Sequence, residues 1–263
     1  MEHTTYLFID GAYLSGAHDD AMKKVFAVPG DLALERIAET AGAFKIYFYD
    51  CEDVCRPNES QVEFEARVAA QRAQFSKIRA LKGFHLQTGT MRSGKKREQK
   101  EVDVLLAVDM LTHGFQRNMT RAVLLSGDLD FRPVVEALVR GGVFVEVWYE
   151  KTSTSEQLPF AADFGVELTW HQLYNWNSEE FRKKYTPPVT QVGGALPPTA
   201  VCIAKGECNR HPVELCETYG GRGFSLIAYL GNEVQFFNHV ERAILEGYFS
   251  VLHGPITWTL RTV

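Results

Sequence analysis

The sequence predicts an α/β protein, with a mostly parallel sheet carrying helices on both faces and a small C-terminal β-rich or α+β unit. Two observations carry this. Short apolar runs (Tyr6-Leu7-Phe8-Ile9, Phe44 to Tyr49, Ala122-Val123-Leu124-Leu125 and Val143 to Trp148) alternate with helical stretches along residues 1–185. A Pro/Gly-rich stretch, 186–199, then precedes a tail in which Phe224 to Tyr229 and Ile256 to Thr262 alternate strictly between apolar and polar positions.

Each element has a local reason. Tyr6 to Ile9 reads as a buried strand that stops at Asp10-Gly11, and a helix follows. Pro29-Gly30-Asp31 opens a second helix running to about Thr40, and Phe44 to Tyr49 forms a strand ending at Asp50. From Gln61 to Leu81 the chain is helical, with Phe64, Val68, Phe75 and Ile78 on one face. Phe84 to Thr88 alternates as a strand. A basic loop follows, and Val102 to Leu111 returns to helix, with Leu105, Leu106, Val108 and Met110 as its apolar surface. After the strand Ala122–Leu125 come a helix opened by Pro133, a Gly141-Gly142 stop, the strand Val143–Trp148, a short helix around Glu156–Ala162 and a strand around Val166–Thr169. Pro187-Pro188, Gly193-Gly194 and Pro197-Pro198 make 186–199 a linker, and residues 200–263 a separate small domain.

Composition bounds the function. With 263 residues, 45% of them hydrophobic and 23% charged, the chain can bury a core without disulfides. A net charge of −5 excludes wholesale electrostatic attraction to nucleic acid, so such a partner must be held by a local patch. No membrane-spanning run is present, the start lacks a signal-peptide pattern, and five irregularly spaced cysteines suit a reduced compartment. The expected location is the cytoplasm.

The chemistry centres on Ser126-Gly127-Asp128-Leu129-Asp130-Phe131, where a buried strand ends by presenting two acids on a tight turn. Asp10 ends the first strand in the same way, and Asp103 lies near the start of the helix after the basic loop. In open α/β sheets, ligands bind at the carboxyl ends of the strands. If the strands bearing Asp10 and Asp128 are neighbours, the four acids converge and repel one another unless a hard divalent cation sits among them. The competing reading is that Asp128 or Asp130 simply caps the helix that begins near Pro133. Ser126 has two open roles, bonding a ligand or bonding the turn.

Phe8-Ile9-Asp10-Gly11, Lys100-Glu101-Val102-Asp103 with Asp109, and the Ser126 to Phe131 motif with Pro133 resemble the NYN domain, in its LabA-like branch of the PIN-like nuclease fold. Gly141-Gly142-Val143 and Leu158 to Asp163 resemble its closing elements, so the likeness spans about residues 4 to 170. It implies a metal-dependent ribonuclease in which Asp10, Asp103, Asp128 and Asp130 bind Mg²⁺ or Mn²⁺ and position the attacking water. Asp109 matches a family acid, but six residues along a helix is about 120° from Asp103, which gives it a supporting role. The chain departs from the family at Tyr13, where many members carry Asn. A catalytically weak or inactive RNA-binding or regulatory module is therefore the alternative reading. Two rival chemistries fall away: Ala12 stands where a haloacid-dehalogenase-type phosphatase needs its second acid, and the first turn lacks G-x-G-x-x-G.

Arg92, Lys95, Lys96, Arg97 and Lys100 form a basic rim before Asp103 that suits the phosphate backbone of RNA, with Lys100 the leading candidate. Cys51 and Cys55 lack metal-ligand spacing. Cys202, Cys208, His211 and Cys216 are a sufficient ligand set for zinc but follow no common finger pattern. The aromatics Phe224, Tyr229, Phe236, Phe237, Tyr248, Phe249 and Trp258 either stack bases or fill the core of the C-terminal unit.

Overall fold

The structure, a computed structural model, describes residues 4–90, 100–218 and 220–261. It divides into two compact units, one of Met1–Ala17 with Ala33–Thr169, the other of His18–Leu32 with Trp170–Val263.

The chain begins with β1 (Thr5–Asp10), α1 (Gly11–Phe26), α2 (Leu34–Ala41), β2 (Lys45–Glu52), α3 (Gln61–Ala80) and β3 (Phe84–Thr90). It continues with α4 (Lys100–Phe115), β4 (Arg121–Leu125), a 3₁₀ turn at Leu129–Phe131, α5 (Arg132–Arg140), β5 (Phe144–Tyr149), α6 (Gln157–Phe160) and β6 (Phe164–Glu167). Among the described residues, six parallel strands form one sheet in the order β3-β2-β1-β4-β5-β6. Successive strands are added toward one edge from β1 to β3 and toward the other from β4 to β6, so the order reverses between β1 and β4. In open α/β sheets such a reversal is where ligands bind, here at the carboxyl ends of β1 and β4.

The central strands are apolar throughout because both faces of a parallel sheet are covered. Tyr6, Phe8, Tyr47, Ala122, Leu124, Val145 and Val147 join one core with Val102, Leu106 and Met110 of α4 and Val134, Val135 and Leu138 of α5. Leu7, Ile9, Phe48, Val123 and Leu125 alternate with these and are buried as well. Ser60 opens α3 with a capping box to Glu63, and Phe75 and Ile78 bury its C-terminal half.

Three local expectations shift. α2 starts at Leu34 rather than after Gly30, because Leu32 bridges to Asn177 and the Asp31 N–H donates to Asn177 Oδ1 at 2.8 Å. Val108 is 52% exposed, since the buried stripe of α4 follows the four-residue spacing Val102, Leu106, Met110. β6 lies two residues earlier than expected, at Phe164–Glu167, where Gly165 allows the strand to lie close to Pro159 of α6.

The second unit continues with α7 (Trp170–Asn175), α8 (Glu179–Lys184), β7 (Val189–Val192), β8 (Val201–Cys208), β9 (His211–Thr218), β10 (Gly223–Leu230), β11 (Glu233–His239), α9 (Arg242–His253) and β12 (Thr257–Arg261). These strands form an antiparallel sheet in the order β12-β8-β9-β10-β11-β7. β7 lies inside the Pro/Gly-rich stretch: Val-Thr-Gln-Val between Pro188 and Gly193 is free of both breakers and pairs as an edge strand with β11. Phe237 meets Phe249 of α9 with ring centroids 5.2 Å apart. Phe236, Phe237, Tyr248 and Phe249 are buried in this unit, whereas Tyr229 is 37% exposed. Among the described residues no helix is long and apolar enough to cross a membrane.

Candidate active site at the reversal between β1 and β4

The register Ile9↔Leu125 puts the residues that follow, Asp10 and Ser126, side by side. The Ser126 hydroxyl donates to Asp10 Oδ2 at 3.0 Å, and the Tyr13 N–H, in the first turn of α1, donates to Asp10 Oδ1 at 3.0 Å. Gly11 is required at this corner, because a Cβ there would fall 2.6 Å from Phe48 Cε1 and 2.7 Å from the Tyr49 carbonyl oxygen. Burial pushes the Asp10 carboxyl above its usual range, over the opposing hydrogen bonds from Tyr13 and Ser126 and with a further upward push from the Asp128 charge.

Ser126 is wholly buried and accepts from the Asp128 N–H at 3.2 Å, so its bonds serve the turn and Asp10 together. Asp128 caps the 3₁₀ turn, its Oδ1 accepting from the Asp130 N–H at 2.9 Å. The capping role is therefore real, and it coexists with exposure: Asp128 and Asp130 both face solvent at the strand end.

Asp103 arrives from the helix that leads into β4. Val102 of α4 is 2% exposed and packs onto Gly89 of β3, where a Cβ would stand 2.3 Å from Val102 Cγ2. That close approach seats the first turn of α4 over the sheet and leaves Asp103 half-buried. Its carboxyl is pushed up to about 6, first by burial and then by the negative charges of Asp10, Asp128 and Asp130. Asp10, Asp128 and Asp130 thus all bear electrostatically on Asp103. Asp109 does not join them: it faces Tyr49, whose hydroxyl donates to Asp109 Oδ2 at 2.8 Å.

A fifth acid, Asp50, was not expected here. β2 pairs with β1 in the register Asp10↔Tyr49, so Asp50 is the next residue of the neighbouring strand, which runs on two residues past it to Glu52 rather than stopping there. Its carboxyl is pushed to about 6 by burial and by the charges of Asp10 and Asp53, although the Cys51 N–H bonds it. The signal that finds it is the one that finds Asp10, an apolar run ending in Asp.

Tyr13 has a structural use. Its hydroxyl accepts from the Glu150 N–H at 2.6 Å and lies 3.0 Å from Thr154 Oγ1. Its ring lies over Gly127, where a Cβ would fall 2.5 Å from Tyr13 Cε2. Tyr13 therefore ties the motif turn to the loop after β5. Arg92, Lys95, Lys96 and Arg97 lie outside the described residues, and Lys100 is described by its backbone alone, as the first residue of α4.

Among the described residues no three His, Cys, Asp or Glu side chains are gathered closely enough to hold a metal ion. The donor chemistry nonetheless fits a hard divalent cation, because every acid is an oxygen donor and Asp103 is destabilised as an anion by its neighbours. Cys202, Cys208, His211 and Cys216 are not gathered either. Cys202 pairs with Cys216 at one end of the β8–β9 hairpin, and Cys208 pairs with His211 at the other.

Residues 4–168 match the NYN domain, a PIN-like nuclease family. A solved structure of a protein of unknown function, VPA0982 from Vibrio parahaemolyticus RIMD 2210633, is similar with 16% identity and a TM-score of 0.47, over 64% of this chain and 93% of that one. Comparison with curated proteins gives no match. The strand order, the acids at its reversal and the family match over residues 4–168 lead to one conclusion: this chain belongs to the NYN domain family.

Proposed function

We propose that the chain is an endoribonuclease of the LabA-like branch, dependent on Mg²⁺ or Mn²⁺ and acting on RNA phosphodiester bonds in the cytoplasm. The observation that carries the reading is the position of Asp10 and Asp128 on either side of the β1/β4 reversal, with Asp103 feeling the charge of both. In this reading residues 1–185 carry the nuclease and 200–263 an appended small domain, and the stretch 186–199 that joins them in sequence lends β7 to the second sheet.

Asp10, Asp128 and Asp130 would hold the cation, and Asp103 would complete the shell or orient the attacking water. A divalent ion there supplies positive charge to the transferring phosphoryl group and makes water a stronger acid. Ser126 and the Tyr13 N–H fix the two oxygens of Asp10, so that carboxylate meets the substrate in one orientation. Lys100, with Arg92, Lys95, Lys96 and Arg97, would hold the RNA backbone through charge, independent of base sequence.

A second reading rests on Tyr13. Its hydroxyl is committed to Glu150 and Thr154, so no side-chain amide stands where many family members carry one. A protein that binds RNA without cutting it would follow if that amide is essential. Incubation of labelled single-stranded and structured RNA with Mg²⁺, Mn²⁺ or EDTA decides between them. Cleavage that EDTA abolishes and Asp128→Asn lowers on the order of 100-fold is expected. Binding without cleavage supports the second reading, and cleavage surviving both treatments overturns the metal mechanism.

A further inference from the structure

The antiparallel sheet of the second unit has a face that α9 does not cover. Phe237 points to α9, so its neighbour Phe236 points to the opposite side. There Phe236, Ile227 and Cys216 form a small core, and Leu196, Ala200 and Cys202 pack on it.

Cys202 of β8 and Cys216 of β9 are direct partners in this sheet. Directly opposed residues of antiparallel strands have Cα atoms about 4.5–5.5 Å apart, inside the span a disulfide bridges. Both side chains belong to the same small core, and the Cys202 thiol donates to the carbonyl of Ala204, two residues along its own strand, at 3.5 Å. The chain's other three cysteines differ. The Cys208 thiol donates to the carbonyls of His253 at 3.3 Å and Gly254 at 3.4 Å, Cys51 lies in the core of the parallel sheet, and Cys55 sits on the surface near Glu59.

We propose that Cys202 and Cys216 are a thiol pair that hydrogen peroxide oxidises to a reversible disulfide between β8 and β9. Cys202 is the half-buried member and Cys216 is 1% exposed, so Cys202 meets the oxidant first. Its sulfur attacks one peroxide oxygen and the O–O bond breaks. That oxygen stays on sulfur as a sulfenic acid, while the other leaves as water with the thiol proton. The Cys216 sulfur then attacks the Cys202 sulfur, the S–O bond breaks, and a second water carries away the Cys216 proton. Two sulfurs lose two electrons in all, and the peroxide gains them. The Cys216 thiol is pushed up to about 11, chiefly by burial, which suits a thiol that waits for its partner rather than one that initiates. The direct pairing of the two residues across β8 and β9 holds the Cys216 thiol beside its partner and compensates for its weak ionisation.

The test treats the folded full chain with a small excess of hydrogen peroxide, alkylates the remaining thiols without reduction and maps the peptides by mass. The expected product is lighter by about 2 Da, has lost two of its five alkylatable thiols and links Cys202 to Cys216, and dithiothreitol reverses it. Cys216→Ala should instead gain oxygen at Cys202, ending about 32 Da heavier as the sulfinic acid. The wild-type map stands alone if that variant fails to fold. All five thiols remaining alkylatable, a different linked pair, or a cross-link to Cys202 that survives in Cys216→Ala would overturn the proposal.

Discussion

The Asp128 carboxylate accepts from the Asp130 N–H while its charge bears on Asp103 and Asp10, so two substitutions separate the effects. Asp128→Asn keeps a capping oxygen and removes the repulsion, and its melting temperature should equal or exceed that of wild type. Asp128→Ala also loses the cap and should be less stable by about 1 kcal/mol. Urea or thermal melts check both, and equal losses for Asn and Ala would contradict the repulsion. At this scale the sequence showed most of the acids, because Asp10 and Asp128 follow apolar runs whose end is the sheet edge. Asp50 carries the same signal but becomes part of the group only through the pairing of β2 with β1. The role of Tyr13 was not legible at all: its hydroxyl partners, Glu150 and Thr154, come from the far end of the domain sequence and are set by tertiary packing.

Among elements, α4 brings Asp103 to the site, and its seat depends on the absence of a side chain at Gly89. A methyl there would stand 2.3 Å from the stiff, buried Val102 side chain. Gly89→Ala should cost about 1–3 kcal/mol and lower RNA cleavage, since α4 must shift. Gly16 is the control: within α1 a Cβ there meets nothing within 4 Å, so Gly16→Ala should be neutral or stabilise by up to about 1 kcal/mol. Denaturant unfolding of the two variants tests the contrast, and similar values would contradict the packing of α4. Strands β1, β2, β4 and β5 were legible as apolar runs, and α3 through its capping residues and amphipathic face. β7 was hidden because four residues between Pro188 and Gly193 gain strand character only from the edge of β11. The exposure of Val108 needed the phase of α4 against the sheet, which apolar content alone does not fix.

For the whole molecule, His18 is a buried group whose titration works against the fold as pH falls. Its ring is 1% exposed, its Nε2 has no hydrogen-bond partner among the described residues, and Gly30 lies against it. Burial pushes the imidazole down to about 4, against the pull of Asp19, the Leu173 carbonyl and Asp31. The unfolded chain takes up this proton near pH 6.5 and the folded chain only near 4. The neutral ring's contribution is therefore complete above pH 6.5 and is lost as pH falls toward 4, by roughly 3 kcal/mol in all. Asp50 and Asp103, held at about 6, favour the folded state over the same range, so the test is the difference between proteins: in urea melts His18→Gln should gain on wild type by that amount between pH 7.5 and 4, and a difference that does not change with pH would assign the loss elsewhere. The family match covers the parallel sheet, whereas the antiparallel sheet lies outside it, and its strands were legible mainly through period-two alternation. The central claim is that the acids at the β1/β4 reversal are a divalent-cation site. Anomalous diffraction from crystals grown with Mn²⁺ tests it most directly. The account predicts manganese density bounded by the carboxylates of Asp10, Asp103, Asp128 and Asp130; manganese bound only elsewhere, or no density at saturating metal, would contradict it.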